Sequence, residues 1–339
     1  MSWKHAAVGL LGFIVTASSN FAAPERLEYI EPHMGTLFRI VLYPSDPALA
    51  KAAARAAFDR IAALNRIMSD YDSSSELMRL CAQPPNTAVA VSSELFDILQ
   101  LSQAIAEKTH GAFDVTLGPV ISLWRETRRT HALPTEAART AALHASGFRH
   151  LRLDPLTRTV TLLRPNMALD LGGIAKGYAA EAALSVLAQH GITSAMVAAS
   201  GDLALGDPPP GKTGWKIELN PFGSTTGTPL ILIVAHAGVS TSGDTEQFVT
   251  LGGVRYSHIV DPATGLGLTR PTAVTVVAPH ATLADALATA CSVLVPAAAQ
   301  QLANDSTESV RVIVHQRNAD GSTRSASFGH APAGLIFTP

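Results

Sequence analysis

The chain has 339 residues, 47% of them apolar and 15% charged, with a formal net charge of −2. Such a length and apolar share give a core-forming globular protein and exclude a disordered one. The near balance of charge removes any electrostatic ground for binding nucleic acid or an anionic membrane.

Taken in chain order, residues 1–23 carry the pattern of a secretory signal. Lys4 and His5 precede an apolar run over 6–15, and small residues follow at 17–19 and 22–23. The run is shorter than the roughly 20 residues a spanning helix needs, and a buried N-terminal strand is its competing reading. No cysteine lies near the cleavage region, so no lipid anchor is expected. Removing the leader takes away one lysine and no acid, which leaves a net charge of −3. The mature chain, 24–339, is expected as one exported, periplasmic, soluble domain with no membrane span.

A strand pair is predicted at 26–31 and 35–43. Asp46 and Pro47 then cap a long helix with Ala57, Ile61, Leu64 and Met68 on one face. A polar loop, SDYDSSSE, covers 69–76, and a second helix spans 93–109 and ends at Gly111. Residues 125–148 are rich in arginine and alanine with a weak helical pattern. Strands at 150–153 and 159–163 flank a turn at Asp154-Pro155. A helix with the stripe Ala175, Ala179, Ala182 and Val186 closes at Gly191.

The second half reads as strands at 194–199, 214–219, 229–236, 246–250, 254–258 and 272–278, with turns at Asn220-Pro221 and Gly252-Gly253. A helix over 282–294 and a hairpin turning at Asp320-Gly321 complete the chain. Helices and hairpins mix without regular βαβ alternation. The expected fold class is α+β: two halves of mixed or antiparallel sheet with packed helices.

The most informative stretch is DLGGIAKGYAAE, 170–181. An apolar segment over 167–171 runs into Gly172 and Gly173, and a helix opens on Lys176. Glycines permit a sharp turn and close approach of a ligand to the backbone. Unpartnered first-turn amides and a lysine suit phosphate. A plain tight turn is the other reading.

On the 282–294 helix, Asp285 and Thr289 are four apart and share a face, so two hard oxygens point together as Mg2+ requires. An aspartate in a first helical turn is also an ordinary dipole cap. His258, in SHIVDPATG, is placed to act as a general base or to complete local hydrogen bonds. The turns TSGD (241–244) and SGD (200–202) either hold a ligand or turn the chain. Tyr71 and Phe113, the latter beside Asp114, are candidates to stack on a flat heterocycle, and Phe113 fits equally as core.

Two features carry no site. Gly206 to Thr213 matches the Walker A pattern by letter, but Pro208, Pro209 and Pro210 have no N–H for a phosphate and no helical pattern follows. A rigid loop is expected there. Cys81 and Cys291 cannot form a framework, and two buried free thiols are expected.

These pieces together resemble the ApbE family, the FAD:protein FMN transferases. The resemblance runs in order through MGTLFRIVLY (34–43), SDYDSSSELMRL (69–80), GAFDVTLGPVISLW (111–124), ALDLGGIAKGYAAE (168–181), VSTSGD (239–244), YSHIVDPATG (256–265) and ADALATA (284–290). It covers roughly residues 27 to 300 and implies an ApbE-like α+β fold. It implies an exported enzyme that uses FAD and Mg2+ to attach FMN, through a phosphoester, to a threonine or serine of a target protein and releases AMP. The acceptor it suggests is a respiratory or redox-complex subunit.

By matching position, Met34, Tyr71, Ala112, Phe113, Asp114, Asp170, Lys176 and Ile259 would line the flavin nucleotide. The Gly173 carbonyl, Asp285 and Thr289 would hold the metal, and His258 would be the base. FAD hydrolysis to FMN and AMP, or flavin delivery without chemistry, are the alternatives for the same site. Two departures stand out. Ala199-Ser200-Gly201-Asp202 replaces the family's usual double glycine, and the anchoring cysteine of many members is missing.

Overall fold

The computed structural model describes residues 25–220, 222, 230–243, 247–317 and 323–338. The leader, Pro221, Asp244 and the Asp320-Gly321 turn of the sequence reading lie outside them.

The chain begins with a hairpin, β1 (Leu27–His33) and β2 (Thr36–Leu42), paired antiparallel. Helix α1 (Pro47–Met68) follows. The Asp46 side chain accepts from the Ala48 amide, and one face buries Ala50, Ala54, Ala57, Ile61, Leu64 and Met68. Then come α2 (Glu76–Cys81), β3 (Val89–Ala90), and α3 (Ser93–Lys108) capped by Ser92. Next are α4 (Gly118–Thr130), α5 (Glu136–His144), β4 (Leu151–Asp154) and β5 (Thr159–Leu162).

Helix α6 (Ala175–Gln189) leads into β6 (Ala195–Ala199), β7 (Asp202–Leu205), β8 (Trp215–Leu219), β9 (Leu230–Val234) and β10 (Ala237–Ser242). Two small hairpins, β11 (Phe248–Leu251) with β12 (Val254–Ser257) and β13 (Val260–Asp261) with β14 (Leu266–Gly267), precede β15 (Thr272–Ala278). The chain ends with α7 (Ala281–Val293), α8 (Pro296–Asn304), β16 (Arg311–Arg317), β17 (Thr323–Gly329) and β18 (Ile336–Thr338).

The main sheet has eight strands in the order β1-β2-β6-β7-β10-β15-β16-β17, all paired antiparallel. Alternation along β2 shows its two buried faces: Phe38, Ile40 and Leu42 enter the large core with α1, α6 and α7, while Val41 enters a second core. That second core packs the sheet against β8-β9-β18, through Trp215, Leu219, Leu232 and Val234. A third cluster joins α4 and α5 to the small hairpins through Val120, Trp124, Val249 and Val260. The fold is α+β, as the mixture of patterns predicted.

The differences have local causes. Helix α2 was expected as loop at its start, and its six residues bury only Leu77 and Leu80, too few for a periodic signal. Strand β10, AGVSTS, is small and polar in letters yet lies between β7 and β15 in the sheet. Strand β7 and helix α8 were likewise not anticipated, while β16 and β17 pair antiparallel as the two arms of the expected last hairpin. In the apolar segment 167–171, Ala168 makes an isolated bridge to Leu117, the Leu169 amide donates to Cys81 Sγ at 3.3 Å and the Asp170 amide to Val115 O at 2.8 Å. The rigid loop at 206–213 has no helix after it. Both cysteines are free, but Cys81 is only half-buried while Cys291 is buried.

Candidate active site

A cleft of about 1400 Å3 lies where the glycine turn before α6, the helix α7, the helix α4 and the β6–β7 and β11–β14 turns meet. Met34, Tyr71, Ala112, Phe113, Asp114, Asp170, Gly173, Lys176, His258, Ile259, Asp285 and Thr289 all line it. These residues come from six of the sequence motifs. The sequence-predicted set is therefore one surface in space.

The inner end is built on a close crossing of α6 and α7. A Cβ at Gly177 would stand 2.3 Å from the Ala281 carbonyl oxygen and 2.8 Å from Asp285 Cβ, so only glycine lets the helices meet there. The crossing puts the Asp285 carboxylate under the start of α6, where Oδ2 accepts from the Gly177 amide at 2.9 Å. Helix α7 begins at Ala281, so Asp285 sits in its second turn and is no cap of its own helix. Its dipole partner is the N-terminus of α6 instead.

The first-turn amides of α6 had been offered to phosphate. The Ile174 and Ala175 amides donate to Leu171 O and the Gly177 amide to Asp285. A protein carboxylate thus takes one of the amides expected to face a bound anion.

Lys176 reaches back between two acids. Its ammonium bonds Asp202 and lies 3.9 Å from Asp285 Oδ2. Burial works against its charge, but the two carboxylates outweigh it and raise its pKa above the usual lysine value. Asp202 also accepts from the buried Ser240 hydroxyl at 2.6 Å. Asp285 is 2% exposed. Burial lifts its carboxyl to about 7, Asp202 adds to the rise, and Lys176 and the Gly177 amide oppose it. Two carboxylates face one ammonium, and the rise at Asp285 reflects that imbalance.

Thr289, one turn beyond Asp285, faces the glycine turn. A Cβ at Gly173 would meet Thr289 Oγ1 at 3.0 Å and Phe113 at 3.4 Å. Gly173, Thr289 and Asp285 all line the cleft, and a side chain at 173 would crowd the Thr289 hydroxyl, one turn beyond the Asp285 carboxylate. Hard oxygens of this kind suit Mg2+. Among the described residues no cluster of three or more His, Cys, Asp or Glu forms a metal centre. This set has one carboxylate.

At the outer end Asp170 is anchored twice: Oδ1 accepts from the Gly172 amide at 2.7 Å and Oδ2 from Arg125 at 2.7 Å. Burial and the neighbouring Asp70 lift its carboxyl to about 6 against Arg125 and the Gly172 amide. Tyr71 is 79% exposed, with the Arg125 guanidinium 4.4 Å from its ring centre. Asp114 is occupied locally, accepting from Thr116 N (2.8 Å), Thr116 Oγ1 (2.6 Å) and Phe148 N (2.8 Å), and burial raises its pKa. Phe113 is both core and cleft wall. Met34 is left-handed at the β1–β2 turn, with φ 48°.

His258 follows β12 directly. Its Nδ1 is 3.2 Å from Gln247 O, and a carbonyl only accepts, so that bond puts the proton on Nδ1 and leaves Nε2 basic in the neutral ring. The adjacent Ile259 amide donates to Ser257 Oγ at 3.0 Å. The β6–β7 turn also borders the cleft. There Ser200 takes φ 57°, a left-handed conformation that favours glycine, and Gly201 lies where a Cβ would be 2.8 Å from Thr241 O.

Sequence reasoning did not single out Arg125 or Asp70, and it took Asp202 only as a turn acid. No local pattern marks them: their partners lie 45, 55 and 26 residues away.

Comparison with known proteins gives the family and the fold. Residues 34–314 match the model of the ApbE family. A FAD:protein FMN transferase of Treponema pallidum is 35% identical over 277 residues, covering 77% of this chain and 76% of that protein. One from Klebsiella pneumoniae is 32% identical, covering 84% and 83%. The solved structure of the flavin transferase ApbE from Vibrio cholerae superposes with a TM-score of 0.81 at 27% identity, over 90% of this chain and 97% of that one.

Proposed function

This chain belongs to the ApbE family of enzymes, and on that footing we propose that it is a Mg2+-dependent FAD:protein FMN transferase acting on an exported acceptor. The observation that carries the reading is the convergence of the twelve predicted residues on one cleft. At about 1400 Å3 the cleft exceeds the roughly 300–1,000 Å3 of an ordinary ligand pocket. A dinucleotide and an acceptor segment fit such a space better than a small substrate does.

In this reading the flavin ring stacks on Tyr71, and its diphosphate lies toward the glycine turn and Lys176. The acceptor hydroxyl oxygen attacks the phosphorus on the FMN side. The bond from that phosphorus to the bridging oxygen breaks, and AMP leaves. His258 takes the hydroxyl proton on Nε2, a step worth roughly 10²–10⁴ in rate when the base is within hydrogen-bond reach. Mg2+ held by the Gly173 carbonyl, Asp285 and Thr289 would neutralise charge developing on the phosphate oxygens. Lys176 holds Asp202 and Asp285 together and offsets part of their charge at that end. The acceptor is a threonine or serine in a respiratory or redox subunit.

Export belongs to the same reading, on the strength of Lys4, His5 and the apolar run that follows them; cell fractionation tests it. Among the described residues no helix is long and apolar enough to cross a membrane.

Purified protein with FAD, Mg2+ and a threonine-bearing acceptor domain is expected to yield an acid-stable fluorescent acceptor and an equal amount of AMP. AMP released rapidly with no flavin on the acceptor would make the enzyme an FAD diphosphatase. FAD retained without either product would make it a delivery protein. Either result overturns the transferase reading.

A further inference from the structure

We propose that Arg125 is the positioning residue of the flavin end of the cleft, fixing the Tyr71 ring as a stacking platform and tying it to the glycine turn. The inference rests on the flavin-transferase reading and concerns a residue to which that reading gives no role.

Tyr71 belongs to the exposed loop between α1 and α2, and at 79% exposure its ring lies largely in solvent. A phenol on such a loop, free to change rotamer, would lose side-chain entropy on stacking against a ligand. Arg125, from α4, supplies the missing constraint. Its guanidinium carbon lies 4.4 Å from the Tyr71 ring centre, covering one side of the ring and leaving the other for a planar ligand.

The guanidinium is itself fixed at two points. Nη1 donates to Asp70, next to Tyr71 in the chain, and Nη2 donates to Asp170 at 2.7 Å. Asp170 in turn accepts from the Gly172 amide at 2.7 Å. A continuous path therefore runs from the Tyr71 ring through Arg125 and Asp170 to the glycine turn that borders the diphosphate end. The role needs arginine: a planar fork bridges two carboxylates and lies against a ring, whereas lysine offers a point charge on a flexible stem. Cation–π contact of this kind stabilises an exposed ring, and more strongly when a ligand covers it.

Two fragments of the substrate separate this role from general support of the fold. FMN probes the ring end and ADP the other, with binding followed by quenching of flavin fluorescence for FMN and by calorimetry for ADP. Arg125→Ala is expected to weaken FMN about tenfold and ADP less than twofold. Arg125→Lys is expected to recover only part of the FMN affinity. With Tyr71→Leu already present, Arg125→Ala is expected to cost almost nothing further for FMN, because the ring it orients is gone. In turnover the loss is expected in the KM for FAD more than in kcat.

Equal weakening of FMN and ADP, full rescue by lysine, or additive losses with Tyr71→Leu would each overturn the assignment. A wild-type protein that binds neither probe and turns over no FAD would instead strike the transferase reading beneath it.

Discussion

Replacing Gly173 by alanine tests the oxygen cradle without removing any charge. Gly173 does not occupy the left-handed region, so alanine meets no backbone strain there. Its Cβ would stand 3.0 Å from Thr289 Oγ1, 3.2 Å from Thr289 Cγ2 and 3.4 Å from Phe113. Moving Thr289 a few tenths of an ångström off its rotamer costs about 0.5–1.5 kcal/mol. Restricting the unfolded chain offsets that by about 0.4–1 kcal/mol. Net stability is expected to change by about 1 kcal/mol or less, a shift in Tm of no more than about 4 °C. The methyl group nevertheless fills the gap between the Gly173 main chain and the Thr289 hydroxyl. Misplacing a positioned group by an ångström costs about 10² in rate, and losing one charge-stabilising contact about 10²–10³. Flavin transfer, followed by fluorescence of the acceptor, is expected to fall on the order of 10²–10³ with a raised requirement for Mg2+. Gly177→Ala is the comparator. Its Cβ would press on a backbone oxygen at 2.3 Å, so it is expected to destabilise by about 1–3 kcal/mol or more. Wild-type transfer by Gly173→Ala at an unchanged Mg2+ requirement would refute the cradle.

Three further outcomes are expected. Asp285→Asn keeps an acceptor for the Gly177 amide but removes the charge, so transfer should fall about 10²–10³ and calorimetry should show weakened Mg2+ binding; intact Mg2+ binding would move the metal elsewhere. His258→Gln should lower kcat for transfer by about 10²–10⁴ while leaving the KM for FAD near wild type, and an unchanged kcat would remove His258 as the base. His315, buried and held by Ser325 Oγ at 2.9 Å, has its pKa lowered to about 4 by burial. Because the unfolded ring protonates first, stability is lost as pH falls from about 6.5 to about 4, by roughly 3 kcal/mol from this group. Denaturant melts across that range should show His315→Gln lacking this component, and identical pH profiles would contradict it.

Local strings carried much of the site. Asp285 and Thr289 were legible because a four-residue spacing on a helix has only one geometric meaning, and Gly172-Gly173 because adjacent glycines before a helix leave backbone exposed. The element types of α1, α3, α6 and the hairpins followed from period and caps. What stayed hidden was tertiary. Strand β10 earns its place from neighbours on both sides rather than from its own small residues. The α6 amides looked available in sequence, and only the crossing at Gly177 shows that Asp285 takes one of them. Arg125 was one arginine among several in a weakly helical stretch. Its meaning comes from Asp70 and Asp170, which no periodicity connects to it.

The arrangement of charge gives the cleft a requirement of its own. Two cations each face two carboxylates: Arg125 with Asp70 and Asp170, and Lys176 with Asp202 and Asp285. With all groups ionised, each set carries one net negative charge. Two like charges 4 Å apart repel by about 4 kcal/mol at an effective dielectric of about 20, so a diphosphate entering beside either set is opposed. Arg125 has both hydrogen-bonding branches engaged by carboxylates, and Lys176 is drawn onto Asp202. Neither is a spare cation waiting for phosphate. A divalent ion at the oxygens of Gly173, Asp285 and Thr289 would reverse the local sign where the diphosphate is to sit. On the proposed reading a dependence on Mg2+ would follow from the chain's own charges, and the glycine at 173 would matter because it leaves space beside the Thr289 hydroxyl.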